Sequence, residues 1–145
     1  MLAKIVVLLC CLQALPNVPA NAGNVIHVAV DGLRSDNGQV VCSLYVSADG
    51  FPKDEKKTIA RTTSRIDHRH ANCSFFGIQP GAYAIAVFHD ENSNNRLDTN
   101  FLGIPREGVG ASNNAKGHFG PPKFNDAAVA YSGGRMDLKI VIAYL

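Results

Sequence analysis

Apolar and polar residues alternate with a period of two along most of the chain beyond residue 24, and this pattern constrains the fold more than any other feature. The last segment is the clearest case, because Asp137 and Lys139 alternate with apolar or aromatic residues: Met136, Leu138, Ile140, Ile142 and Tyr144. No stretch keeps helical periodicity for three turns, and turn residues recur at short intervals. The sequence therefore predicts an all-β fold, a two-sheet β-sandwich of about seven short strands with one long structured loop.

Two inner segments predict different kinds of strand. Residues 39–47 alternate, with Val40, Cys42 and Leu44 on one face and Ser43 on the other, which predicts a half-buried strand. The run Tyr83–Phe88 is apolar throughout, which is typical of a central strand buried on both faces.

The first 22 residues have the pattern of a secretory signal peptide. Lys4 precedes an apolar stretch, Ile5–Leu15, and the segment ends in the cleavage pattern Ala20-Asn21-Ala22. The apolar stretch is too short to span a bilayer, and no later stretch is longer, so we expect no transmembrane segment. The sequence predicts an exported protein, periplasmic or extracellular, with residues 23–145 forming a single domain.

Charge identifies no partner. The chain has 14 Lys and Arg against 12 Asp and Glu, and one of the lysines lies in the predicted signal peptide. A nearly neutral domain lacks the basic surface on which nucleic-acid binding depends. We therefore expect no nucleic-acid partner; an unidentified small ligand or an envelope protein is the expected class of partner.

Only two cysteines follow the predicted signal peptide, Cys42 and Cys73. Each lies in the middle of a predicted strand on its apolar face, and exported domains commonly pair such residues. The sequence predicts a disulfide between neighbouring strands of the core. Two separate buried thiols are the alternative.

The strand pattern stops between residues 89 and 126. This stretch is rich in Asn and Gly but also carries apolar residues, which we expect to anchor it on the sandwich as a compact loop: Phe101, Leu102, Ile104, Phe119 and Phe124. So long a loop in a small domain is expected to be functional, ordered by a metal, or wrongly assigned.

The start of this loop has the spacing of a calcium-binding loop. The candidate ligands are four side chains and the carbonyl of Arg96: Asp90, Asn92, Asn94 and Asp98. Asn95 takes the place that usually requires a left-handed backbone, while Phe101 replaces the usual bidentate Glu. We expect weak, millimolar Ca²⁺ affinity unless Glu107 or Asp126 contributes. The alternative is an Asx-rich turn whose side chains cap their own backbone.

The rest of the loop offers polar groups on a Gly- and Pro-rich frame. The candidate ligand-binding residues are His89, Glu107, Ser112, Asn113 and Asn114. The same residues also fit a loop that only shields a sheet edge, and the sequence does not distinguish the two roles.

Several motifs resemble one bacterial family. The run Ala86–Asn92, the run Leu97–Pro105, Ser112-Asn113-Asn114 and Phe119-Gly120-Pro121-Pro122 resemble the family called domain of unknown function 2141. The resemblance covers nearly all of residues 23–145. It implies an exported β-sandwich similar to transthyretin-like and carboxypeptidase-regulatory-like domains, and it supplies no catalytic residues.

Two functional hypotheses follow. The first is a non-catalytic binding or structural module of the cell envelope, with no catalytic residue and no cofactor other than candidate Ca²⁺. The second is an envelope hydrolase acting on a small molecule or glycan through His89 and nearby carboxylates. Consecutive residues of a strand point to opposite faces, so His89 and Asp90 are not expected to form a catalytic pair, and no G-x-S-x-G motif is present. Convergence in an open cleft of any two or more of five residues would favour the hydrolase: His89, Asp90, Asp98, Glu107 and Asp126. A loop packed flat, with Asp90 and Asp98 around one ion-sized gap, would favour the module.

Overall fold

The computed structural model describes residues 23–145, so the predicted signal peptide lies outside the described residues. Its strands are β1 Val25–Asp31, β2 Gln39–Tyr45, β3 Ala60–Ser64, β4 Ala71–Phe76, β5 Gly81–Asp90, β6 Val109–Ala111, β7 Val129–Tyr131 and β8 Arg135–Val141. A single short helix, α1 Phe124–Ala127, precedes β7 among the described residues. Within the same range, no helix is long and apolar enough to cross a membrane.

The strands form two sheets, which confirms the predicted all-β sandwich with eight strands instead of about seven. One sheet has the order β4-β1-β8, and the other has the order β3-β2-β5-β6, with β7 pairing with the start of β5. All these pairs are antiparallel except β1 with β8, which run parallel.

The core lies between the two sheets. In β1 the side chains of Ile26, Val28 and Val30 are fully buried, while the residues between them are only half-buried. The residues from Val25 to Val30 are apolar on both faces except for His27, so the sequence did not show which face would be buried; the structure places the face of Ile26, Val28 and Val30 against the larger sheet.

Strand β2 differs from its prediction because both of its faces are buried. Val41 and Tyr45 point away from the main core yet are almost inaccessible to solvent. The Tyr45 ring packs edge-on against Phe51, and Phe51 packs edge-on against Phe124 of α1. The half-buried prediction was wrong because two connecting segments cover the outer face of this sheet.

The predicted disulfide is present between Cys42 of β2 and Cys73 of β4. These strands belong to different sheets, so the bond crosses the core and does not join hydrogen-bonded neighbours. It closes a chain segment of 31 residues, which restricts the unfolded chain.

The stretch predicted as one loop, 89–126, is divided by regular structure. Strand β5 extends through His89 and Asp90, β6 pairs with β5, and a 3-10 turn at Ser112–Asn114 follows directly. The longest irregular connection at this end is therefore residues 91–108, referred to below as the end loop. It lies where β5 ends and β2 begins, because Gln39 pairs with Asp90.

Removing the disulfide should destabilise the fold by about 3 to 4 kcal/mol, because a closed loop of this length carries that much chain entropy. The double variant Cys42→Ala with Cys73→Ala tests this in urea unfolding. Dithiothreitol should lower the stability of the wild type and leave the double variant unchanged. A loss below about 1 kcal/mol would contradict the entropic account.

Candidate functional site

The end loop is organised by two buried carboxylates. Asp90, at the end of β5, is fully buried; its Oδ1 accepts the backbone N–H of Asn94 at 3.0 Å, and its Oδ2 accepts that of Asn95 at 2.9 Å. The side-chain amide of Gln39 also donates to Oδ2, at 2.8 Å. Charge-assisted hydrogen bonds of this kind compensate the loss of hydration of a buried carboxylate.

Glu107 closes the same loop from its other end. Its Oε1 accepts the backbone N–H of Glu91 at 2.9 Å, and its Oε2 accepts that of Asp98 at 3.0 Å. The two carboxylates together satisfy four backbone N–H groups of residues 91–98, the part of the loop with the calcium-like spacing.

The Asn side chains between them form Asx turns. Asn92 Oδ1 accepts the N–H of Asn94 at 3.2 Å, and Asn94 Oδ1 accepts that of Arg96 at 2.9 Å. The side-chain amides of Asn92 and Asn94 both donate to the carboxylate of Asp98, at 2.7 to 3.1 Å. Asn95 has φ of 61°, the left-handed conformation expected from the sequence.

This arrangement brings the predicted calcium ligands together, but in the pattern of the self-capped turn. Asp90 meets backbone N–H groups, and Asp98 meets amide N–H groups, so hydrogen-bond donors surround both carboxylates. Residues 23–145 contain no group of three or more His, Cys, Asp or Glu placed to hold a metal ion. Asp126 lies in α1, outside this loop.

His89 is fully buried and uses both ring nitrogens. Nε2 lies 2.7 Å from the carbonyl oxygen of Asn37, and Nδ1 lies 2.7 Å from the hydroxyl of Tyr144. Because a carbonyl only accepts, Nε2 carries a hydrogen, and in the neutral imidazole Nδ1 then accepts from the tyrosine hydroxyl. Glu91 is more distant, 3.5 Å from Nδ1, so the tyrosine contact dominates. The ring has no free nitrogen and no solvent access, and it joins the end of β5 to two other segments.

Arg34 covers this histidine site from outside. Its guanidinium donates two hydrogen bonds to Glu91, at 2.6 and 2.8 Å, and lies 4.4 Å from the centre of the Tyr144 ring. The bonds from Arg34 hold the pKa of the Glu91 carboxyl below its usual range. Burial raises the pKa of Tyr144.

An open cleft of about 580 Å³ lies beside this network. It is lined by Arg34, Asn37, Glu91, Asn92, Asp98, Thr99, Arg106 and Glu107. Asp98 and Glu107 therefore share a cleft, as the hydrolase hypothesis expects. However, Glu107 is buried with both oxygens accepting backbone hydrogen bonds, and His89 does not line the cleft.

The other candidate ligand residues serve a different part of the fold. Ser112 is buried; its hydroxyl donates to the carbonyl of Ala127 and accepts the N–H of Ile85. The Asn113 amide donates to the carbonyls of two residues, Asp126 and Ala128, while Asn114 Oδ1 accepts the N–H of Val141. These three residues fasten the segment after β6 to β5, to β8 and to the end of α1, and they do not join His89 and Glu107.

The expectation that the apolar loop residues anchor the loop on the sandwich was wrong for four of the five. Phe101, Leu102, Ile104 and Phe119 are exposed, and only Phe124 packs against the protein. Hydrogen bonds order the segment of Phe101, Leu102 and Ile104, so their apolar side chains are free to face solvent. The sequence analysis also missed Arg34, Asn37, Gln39 and Tyr144, whose partners lie more than 50 residues away along the chain.

A family model described as an uncharacterized protein conserved in bacteria, DUF2141, matches residues 28–139. The chain belongs to the DUF2141 family. The match runs from the middle of β1 through most of β8, and so it includes both buried carboxylates and the whole end loop of this DUF2141 chain. Neither the curated proteins nor the solved structures that were compared give a match.

Replacing His89 should destabilise this DUF2141 protein by about 3 kcal/mol, because His89→Ala leaves a cavity and two groups without their partner. The matched control is His118→Ala, whose side chain is exposed and whose backbone has no positive φ, and which should change stability by less than about 0.5 kcal/mol. Chemical unfolding measures both. Equal stability of the two variants would contradict the structural role of His89.

The Arg34–Glu91 pair should titrate as an acid-sensitive contact. The pKa of Glu91 is lower in the folded protein than in the unfolded chain. The pair therefore contributes fully to the free energy of unfolding above the unfolded-state pKa of Glu, and this contribution is lost as the pH falls through the folded-state pKa. Carboxyl NMR should give Glu91 a pKa below that of an unfolded Glu, and Arg34→Gln should raise it. A Glu91 pKa that Arg34→Gln leaves unchanged would contradict this assignment.

Proposed function

We propose that this protein is an exported, non-catalytic module of the cell envelope whose end loop, residues 91–108, is its binding element. The observation that carries the proposal is the use of the ionisable groups around the loop. Asp90, Glu107 and His89 hold the loop in place through hydrogen bonds, which supports a rigid presenting surface more than a reaction centre.

Two independent features support export. The N-terminal 22 residues carry the pattern of a secretory signal peptide, and the fold contains a disulfide. Structural disulfides form and persist in oxidising compartments and are rare in the reducing cytosol.

The hydrolase alternative requires a group that is free to take a proton and can reach a substrate. His89 would have to give up its contacts with Asn37 and Tyr144 and become accessible. Glu107 would have to release the backbone of Glu91 and Asp98. Either change would loosen the loop that forms the cleft, and this coupling favours the non-catalytic module.

A weak Ca²⁺ site is the second candidate role for the loop. The observation that favours it is the convergence of the Asn92, Asn94 and Asp98 side chains. To coordinate an ion, the two amides would have to turn oxygens toward Asp98 in place of their N–H groups. Their oxygens now accept backbone N–H groups, so the hydrogen-bonded loop is the simpler account.

One preparation tests both parts of the proposal. Protein recovered from the exported fraction of expressing cells should begin at Gly23 by mass spectrometry and should melt at the same temperature with and without calcium. A site with a Kd of about 1 mM would add about 1.4 kcal/mol of stability at about 10 mM Ca²⁺. Protein retained in the cytosol with residues 1–22 attached would contradict the export proposal.

The variant Asp98→Asn separates the two roles of the loop. It removes the charge on which Asn92 and Asn94 converge and keeps the shape of the side chain. Stabilisation of the wild type by Ca²⁺, absent with Mg²⁺ and absent in Asp98→Asn, would establish the calcium site in place of the self-ordered loop.

A further inference from the structure

The end loop carries a small hairpin, residues 99–105, that is built independently of the core. Thr99 and Pro105 form an antiparallel bridge, and the N–H of Arg106 donates to the carbonyl of Asp98 at 2.9 Å. These contacts close the base of the hairpin next to the backbone that Glu107 holds.

The tip of the hairpin is fixed by one residue, Asn100. Its backbone N–H donates to the carbonyl of Ile104, and its carbonyl accepts the N–H of Gly103. Its side-chain oxygen accepts the N–H groups of Leu102 at 2.9 Å and Ile104 at 3.0 Å. Gly103 has φ of 78°, a conformation that glycine adopts without strain. Local hydrogen bonds therefore set the tip, and no side-chain packing is needed.

Three apolar side chains of this tip face solvent. Phe101 is 94% exposed, Leu102 is 68% exposed and Ile104 is 44% exposed. Apolar residues are scattered singly over most surfaces, but three on one ordered turn form a concentrated patch. Because the turn is held by its own hydrogen bonds, it cannot fold back to bury them without losing those bonds.

The shape of the tip argues for a lipid surface as its partner. A stable protein interface takes about 800 Å² from each partner, over roughly 20 residues or more, whereas this patch is one narrow turn. A bilayer interface accepts a few apolar side chains at the acyl boundary when cationic groups lie at headgroup level.

The charges next to the hairpin fit this geometry. Arg96 and Arg106 flank it in the sequence and are exposed, and neither is in an ion pair within the described part of the chain. The nearby acids, Glu91, Asp98 and Glu107, lie at the base, where Arg34, side-chain amides and backbone N–H groups engage them. Arg106 lies at the base of the hairpin and lines the cleft with these acids, and a guanidinium group outside any ion pair at that level favours anionic headgroups around the inserted tip.

We propose that the hairpin inserts Phe101, Leu102 and Ile104 into the interface of an anionic phospholipid bilayer, with Arg96 and Arg106 against the lipid phosphates. The inference rests on the proposed function, because it takes the end loop as the binding element of an exported module.

The chain contains no tryptophan, so Phe101→Trp places a single fluorescent reporter at the tip. The matched control is Phe119→Trp, which replaces an equally exposed side chain on the separate turn between Gly117 and Gly120. With vesicles of phosphatidylcholine and phosphatidylglycerol, the emission of Phe101→Trp should shift to the blue and be quenched by brominated acyl chains. The emission of Phe119→Trp should not change.

The second measurement is the fraction of protein lacking residues 1–22 that cosediments with vesicles. The double variant that carries both Phe101→Ser and Leu102→Ser should bind vesicles at least about tenfold more weakly, because two apolar side chains are lost. Arg106→Gln should weaken it about fivefold, and so should a rise in salt, because each basic residue contributes through anionic lipid. Melting temperatures should stay at the wild-type value, since these side chains are exposed.

An unshifted emission of Phe101→Trp, or an equal shift in Phe119→Trp, would overturn the inference. Equal binding to pure phosphatidylcholine would overturn its anionic part, and a dimer that Phe101→Ser abolishes would assign the tip to a second copy of the chain. Exported protein that lacks residues 1–22 and does not bind vesicles would refute only the lipid partner. Cytosolic protein that keeps residues 1–22 would refute the proposed function, whatever the result with vesicles.

Discussion

The buried carboxylate of Asp90 is the interaction on which this end of the molecule depends. It is a charged group placed at the end of a central strand, where water cannot reach it. Three hydrogen-bond donors compensate its loss of hydration: two backbone N–H groups from the turn that follows and the amide of Gln39 on the neighbouring strand. One side chain therefore fixes both the path of the chain as it leaves the sheet and its position against β2.

Glu107 and His89 extend this arrangement to the rest of the end loop. Glu107 accepts the backbone N–H groups of Glu91 and Asp98, at the two ends of the segment 91–98. His89 joins β5 to Asn37 and to Tyr144. Polar groups in a low-dielectric setting favour a single geometry, because any alternative leaves one of them without a partner. The hairpin that presents the apolar tip is mounted on this rigid base, so the exposure of the tip is built into the fold.

The sequence was sufficient where the physics is local. Alternation placed the buried side of β8, the position of two cysteines on apolar faces predicted their pairing, and Asn95 was correctly assigned a left-handed conformation. It was insufficient where a residue depends on distant partners. Strand β6 is only three residues long, which is too short to show alternation. The sequence predicted a half-buried β2 because the residues that cover its outer face, Phe51 and Phe124, lie in other segments of the chain. The role of His89 depends on Tyr144, which lies 55 residues away.

The pairing of β1 with β8 has a consequence for the order in which the molecule can assemble. These are the first and last strands of the described chain, they lie side by side, and β1 is the middle strand of its sheet. One edge of β1 therefore stays without its partner until residues 135–141 have also emerged from the ribosome. Such a topology makes the smaller sheet depend on a contact between residues more than 100 positions apart, so β1 and β4 cannot complete this sheet before β8 is available.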